Sequence, residues 1–252
     1  MQATVKCWTF LFCLSISLFA QATHIIAVTE HLPPYQQLKS NHDVSGFSVE
    51  IVKALGKKVG DNITFEVLPW NRAYRKAQEQ ENVLIFSMYR IPVRDKLFKW
   101  VGKIDENVHY FYALRDLKKN HVTDIADARK KVIAVTDNAF EDKQLTKKGF
   151  KKLARVSSPD KMVNLLFNNR VELLFGSEIA ITNLASQAGR SPGELIRLIT
   201  IENWGDGLWL AFSNQTPDST VLKYQQAFEQ LQKSGQIEAI KANHFHFDFI
   251  KP

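Results

Sequence analysis

Apolar and polar positions along this chain fall into two rounds of one strand–helix rhythm. His24-Ile25-Ile26-Ala27-Val28-Thr29 is short, apolar and β-branched, as a buried parallel strand requires. Pro33-Pro34-Tyr35 breaks it into a loop. Gly46-Phe47-Ser48 leads into a helix with the apolar stripe Val49, Ile51, Val52, Leu55 and Val59, closed by Gly60. Residues 63–68 alternate as a strand, 70–80 read as a helix and 83–88 as another apolar strand. This β-α-β-α-β order predicts a parallel sheet flanked by helices. The rhythm then restarts, with strands over 108–114 and 132–135 and a helix over 137–148. Ser157 or Ser158 with Pro159 opens a helix over 161–168. A strand over 171–175, a helix over 178–188, a strand over 208–212 and a long amphipathic helix over 220–235 complete the pattern. Two similar α/β halves without a flexible linker predict two lobes that share a cleft. There is no tandem repeat and no low-complexity stretch.

The first 22 residues stand outside this rhythm and read as a secretory signal peptide. Lys6 supplies a positive n-region, residues 8–19 an apolar h-region, and Ala20-Gln21-Ala22 a small-x-small cleavage site. The apolar run is short and dotted with serine, whereas a bilayer span needs about 20 apolar residues. An uncleaved N-terminal anchor is the alternative. Cys13 lacks a lipoprotein-like context. Export to the periplasm and cleavage near Thr23 are expected.

Composition narrows the chemistry. Cys7 and Cys13 both lie in the leader, so the mature chain has no disulfide, thiol nucleophile or cysteine metal site. Its stability must come from its own core, for which about 230 residues suffice. The formal charge is +7, of which Lys6 contributes one in the leader. The basic pairs are dispersed beside acidic residues, as on solvated helix faces, and form no nucleic-acid signature. Weak attraction to an anionic envelope surface is the other reading of them. No second run is long enough to cross a membrane.

Five segments, in order, resemble one family. They are Leu32-Pro33-Pro34-Tyr35, Gly46-Phe47-Ser48-Val49-Glu50 and Pro69-Trp70-Asn71-Arg72-Ala73, then Arg90-Ile91-Pro92-Val93-Arg94 followed by Phe98-Lys99-Trp100-Val101-Gly102, and finally Gly235-Gln236-Ile237. The chain resembles the family 3 periplasmic solute-binding proteins, the polar amino-acid-binding branch of ABC-transporter receptors. The resemblance implies an α/β fold of the two-lobed periplasmic-binding-protein type (type II), with two strand crossings near residues 109–114 and 206–210. It divides the mature chain into lobe 1, residues 23–107 plus 206–252, and lobe 2, residues 108–205. Ligand would lie between the lobes, at the carboxyl ends of parallel strands, and the lobes would close on it by a hinge motion.

The resemblance also implies a set of ligand contacts. Arg94 would hold the ligand carboxylate, because a guanidinium fork matches a carboxylate and keeps its proton; pairing with Asp95 or Glu106 is the alternative. Ser87 and Tyr89 would contact the same ligand, or simply pack in their strand. Asn138 and Ala139, after Asp137, would present backbone N–H groups to an anion at a helix start, although Asp137 reads equally well as an N-cap. Ser177 stands where the family usually carries the acid that holds an ammonium, with Glu178 next to it. A carboxylate-bearing ligand is therefore expected, with an α-ammonium not required. Trp70, Tyr35, Trp100 and Trp204 are aromatic candidates for the cleft, with Trp70 the best of them and Trp100 expected in the core. His244-x-His246 alternates with Phe245, Phe247 and Phe249, as in an extended tail with one face docked, and two histidines are too few for a structural zinc. No cofactor or metal is expected.

The leading expectation is a monomeric binding module that delivers a small polar solute to an ABC permease in the inner membrane, without enzymatic activity. Two readings remain beside it. One is a periplasmic enzyme of the same fold, similar to cyclohexadienyl dehydratase, drawing on Glu30, His31 or Glu178 for acid–base work. The other is an orphan sensory protein that signals through a partner.

Overall fold

The computed structural model describes residues 22–39, 43–115, 122–201 and 206–245. Strand β1 is His24–Thr29, followed by the short pair β2 Gln37–Leu38 and β3 Val44–Ser45. Helix α1 (Phe47–Val59), β4 (Asn62–Val67), α2 (Trp70–Glu79), β5 (Val83–Tyr89) and β6 (Phe98–Asp105) come next. The second round comprises β7 (His109–Leu114), α3 (Ile125–Lys130), β8 (Ile133–Thr136), α4 (Phe140–Lys147), β9 (Leu153–Val156) and α5 (Pro159–Phe167). It continues with β10 (Leu173–Ser177), α6 (Glu178–Gln187) and β11 (Leu195–Thr200). The chain closes with β12 (Leu208–Ser213), α7 (Asp218–Lys233) and α8 (Gln236–His244).

Two mixed five-stranded sheets result, in the orders β4-β1-β5-β12-β6 and β11-β7-β10-β8-β9. In the first, β1 pairs parallel with β4 and β5, while β12 runs antiparallel to β5 and β6. In the second, β8 lies parallel between β9 and β10, and β7 is antiparallel to β10 and β11. Each sheet is covered on both faces. Phe47, Leu84, Phe86, Phe212, Tyr224 and Phe228 fill one side of the first sheet, and Val28, Ala73, Ala77 and Ile85 the other. Phe111, Leu145 and Phe175 pack on one side of the second, with Tyr112, Val163, Leu166 and Ile181 opposite. The molecule is a two-lobed α/β protein. Among the described residues no helix is long and apolar enough to cross a membrane.

Several local expectations shift. Strands β6, β9 and β11 were absent from the sequence pattern, and all three are sheet edges. Edge strands carry half-exposed polar side chains, such as Arg155 and Arg197, that interrupt an apolar run. The two passages between the sheets lie just outside the expected strands: residues 109–114 pair inside the second sheet and 208–210 inside the first, so the chain passes between the sheets at 106–108 and returns before β12, where 206 and 207 are the described residues. The helix expected from 137 begins at Phe140, because Asn138 adopts φ +60° and Ala139 is the N-cap. His244 ends α8 rather than opening an extended tail, and Phe245 is buried. Residues 246–252, with His246, Phe247 and Phe249, lie outside the described residues.

Candidate functional site

The carboxyl ends of β1, β5, β8 and β10 converge on one cavity of about 510 Å³. That size suits a small-molecule ligand. Arg94, Ser87, Tyr89, Trp70, Tyr35, Asn138, Ala139 and Ser177 all line it, and so do Glu30, Asn107, His109, Glu141 and Lys143. Glu178 does not. Its carboxylate pairs with Arg197 Nη1 at 2.9 Å, because the first turn of α6 aims it toward edge strand β11. Ser177 is buried and caps α6, accepting a hydrogen bond from the Ala180 N–H at 3.3 Å. Trp204 lies outside the described residues, and Trp100 packs half-buried against Phe98 and Trp209, away from the cavity.

The short turn Pro92–Arg94 projects Arg94 into the cleft. Its Nη1 donates to the Tyr89 carbonyl at 2.8 Å, and the guanidinium sits over the Trp70 and Tyr74 rings at 5.1 and 5.3 Å. Trp70 therefore supports the guanidinium from beneath. Burial lowers the Arg94 pKa, while Tyr74 and Glu30 oppose the shift. Pairing with Asp95 does not occur: Asp95 binds Arg90 at 2.8 Å, and Glu106 binds Lys103 at 3.0 Å. No ion pair engages Arg94 among the described residues, so its charge is left to the cavity.

Ser87 occupies φ +56°, costly for a residue with a side chain. Its hydroxyl lies 2.7 Å from Gln36 Oε1 and 2.8 Å from Ser48 Oγ, which hold it in place. Tyr89 stacks on Phe140 of α4, with centroids 4.3 Å apart, and its hydroxyl lies 3.3 Å from His109 Nε2 and accepts from Asn107 Nδ2. Tyr35 is buried and donates to Asp105 Oδ2 at 2.5 Å. The contacts of Tyr89 with Phe140 and His109 join the elements of both sheets beside the cavity.

The anion clamp expected at 137–139 takes another form. The Asp137 N–H bonds to Val156, the Ala139 N–H to Thr136 and the Asn138 N–H to Asp142. The first turn of α4 carries Glu141, whose Oε1 lies 2.9 Å from His109 Nε2. Burial pushes the Glu141 carboxyl up, but the hydrogen bond and charge of His109 hold it below the usual range. The amides of residues 137–139 are thus engaged, and this wall brings a carboxylate–imidazole pair to the cavity.

Glu30 follows β1 directly. Burial and the nearby Glu141 charge push its pKa up to about 7, against the pull of Arg94. Its position at the carboxyl end of a parallel strand marks it by the crevice rule. Sequence reading placed it only in an enzymatic alternative. His109 and Glu141 escaped notice because 32 residues separate them. Because the folded pKa of Glu30 lies above its ordinary 4.5, the folded chain binds more proton than the unfolded chain between those values. Stability from this group is thus full below pH 4.5 and is lost as pH rises through about 7. Glu30→Gln should raise the melting temperature of the ligand-free protein at pH 8, with a smaller gain at pH 5. An equal gain at both values would show that Glu30 ionises freely.

Comparison with known proteins agrees with this architecture. Residues 25–247 match the bacterial extracellular solute-binding proteins, family 3. The arginine-binding periplasmic protein of Mannheimia haemolytica is 26% identical over 230 residues, covering 88% of this chain and 90% of that protein. Among solved structures, an ancestral arginine-binding protein bound to arginine superposes with a TM-score of 0.69 at 16% identity, covering 88% of this chain and 98% of the other. A histidine kinase sensor domain similar to periplasmic binding proteins superposes at 0.71 and 17% identity, covering 91% and 98%. The chain belongs to the family 3 bacterial extracellular solute-binding proteins.

Proposed function

We propose that this family 3 protein works in the periplasm, after loss of its leader, as a monomeric receptor for a small solute bearing both a carboxylate and a cationic group. The solute is an amino acid or a close relative, captured by closure of lobe 1 (residues 23–107 plus 206–252) on lobe 2 (residues 108–205). An ABC permease in the inner membrane receives it. The observation that carries this reading is the pairing of Arg94 and Glu30 on one cavity wall, each within electrostatic reach of the other. A zwitterion would offer its carboxylate to Arg94 and its cation to Glu30. Ser177 carries no charge, so lobe 1 supplies the carboxylate for that cation. The arginine-binding relative supports the class of solute.

Calorimetry with matched ligands tests this: an amino acid that binds, its deaminated acid and its decarboxylated amine. Both truncated compounds should bind at least tenfold more weakly, since each leaves a desolvated charge unpaired. If the amine binds as well as the parent, Arg94 is not a carboxylate receptor. If the deaminated acid does so, Glu30 holds no cation and the solute is a simple carboxylate. Affinity for a cation-bearing solute should also rise with pH through about 7, as Glu30 ionises. Glu30→Gln should flatten that rise.

Glu30 gives the enzymatic reading its one support, because a carboxyl with a pKa of about 7 suits general acid or base work. Recovery of bound solute chemically unchanged after long incubation separates binding from catalysis. The sensory reading rests on the kinase sensor likeness. Copurification with a permease rather than a kinase distinguishes transport from signalling.

A further inference from the structure

Far from the cleft, the start of β1 ends on a buried acid. The Asp61 side chain is fully buried in the turn after α1. Its Oδ1 accepts from the Thr23 backbone N–H at 3.0 Å and from Lys223 Nζ of α7 at 2.8 Å. Its Oδ2 is buried without a hydrogen-bond partner among the described residues. Burial raises the Tyr224 pKa above the ordinary range, and the adjacent Asp61 carboxylate adds to that shift through its charge and its hydrogen-bonding proximity to the hydroxyl. Asn62 donates in turn to the Thr23 carbonyl at 3.1 Å, so Thr23 is held at both backbone groups. Ala22, one residue earlier, is exposed and completes the small-x-small sequence Ala20-Gln21-Ala22.

We propose that the Ala22–Thr23 bond is the processing site, and that the α-ammonium released there becomes a permanent partner of Asp61. Hydrolysis by an envelope signal peptidase consumes one water. The departing leader keeps the new Ala22 carboxylate, and the Thr23 amine takes up a proton. An amide with one N–H donor is thereby replaced by an ammonium with three, beside a carboxylate whose second oxygen makes no hydrogen bond among the described residues and has the Tyr224 hydroxyl close by. An α-amino group with an ordinary pKa of about 7.7–8.0 is mostly charged at neutral pH. Buried hydrogen bonds between charged partners are stronger than those of neutral amides. Processing therefore clamps β1, α1 and α7 together at the moment the chain is freed, and the precursor is the less stable form.

The chain expressed with its own leader in a Gram-negative host should yield a protein whose N-terminal residue is Thr23, read by mass spectrometry. Mature chains released from a scarless fusion, beginning either at Thr23 or at an added glycine before it, should differ in melting temperature by several degrees, the extended chain melting lower. Asp61→Asn should remove that difference. Should Asp61→Asn fail to fold, Lys223→Met provides the second arm: with the competing cation gone, the penalty of the added glycine should grow. A start site elsewhere, equal melting of the two chains, a penalty that survives in Asp61→Asn, or one that Lys223→Met leaves unchanged would overturn the proposal.

Discussion

Arg94→Ala should abolish measurable binding of the solute while leaving the protein folded. The guanidinium is half-buried, rests on Trp70 and Tyr74, and makes no ion pair with the described residues. A ligand carboxylate closed into the cleft would be desolvated with Arg94 as its partner. Removing one member of such a pair costs about 2–5 kcal/mol, mostly through the charge left unpaired. Micromolar binding would then fall to the millimolar range or beyond. Lysine at this position should rescue little, since a point charge lacks the fork geometry. Calorimetry or thermal-shift titration against an amino-acid panel reads the loss, and a far-ultraviolet spectrum reads the fold. Undiminished affinity in the variant would remove Arg94 from the site.

Gly207→Ala should be among the most destabilising single-methyl additions in the molecule. Gly207 lies in the second passage between the sheets, at φ +70°, and an added Cβ would stand 2.3 Å from the Asp105 carbonyl oxygen at the end of β6, where the first passage begins. Its own carbonyl accepts from the Arg90 N–H at 3.4 Å. The backbone cannot retreat easily, because Asp105 is fixed by Tyr35 at 2.5 Å and Lys241 at 3.0 Å. The left-handed conformation costs about 1–2 kcal/mol for a residue with a Cβ, and overpacking adds about 1–3 kcal/mol. Gly60→Ala supplies the control. Gly60 has φ +76° but open space where the methyl would go, so it should show the conformational cost alone. Urea denaturation of both variants separates the two contributions. Equal losses would mean that the two passages do not press on each other.

Much of the fold was legible in the chain because central strands and helix stripes carry strong periodicity. β1, β5, β10 and α1 lie where their apolar runs place them, since each is buried on the side the pattern marks. Of the four edges of the two large sheets, β4 was legible through its alternation, whereas β6, β9 and β11 were not, because charged residues such as Lys99, Lys103, Arg155 and Arg197 interrupt their apolar runs. The start of α4 was misplaced for a related reason: Asn138 tolerates a left-handed turn, and nothing local distinguishes that from a helical start.

The candidate site divides the same way. Arg94, Ser87, Tyr89 and Trp70 could be named from linear motifs, since one βα segment and the turn after β5 carry them. Glu30, His109 and Glu141 belong to the cavity only through the meeting of two sheets. Their chemistry arises there: burial and proximity to Glu141 raise the Glu30 pKa, and His109 keeps the Glu141 pKa below its ordinary range. Glu178 shows the converse, because a carboxylate adjacent in sequence to the expected acid is turned away to Arg197 by one step of helix geometry. The sequence by itself determined the α/β class and the family, and it marked Arg94 as a candidate that the fold places on the cavity wall, because periodicity and short motifs are local properties. Only the tertiary structure decided which carboxylates face that guanidinium. Strand order and the direction of each side chain depend on pairings between residues far apart in the chain.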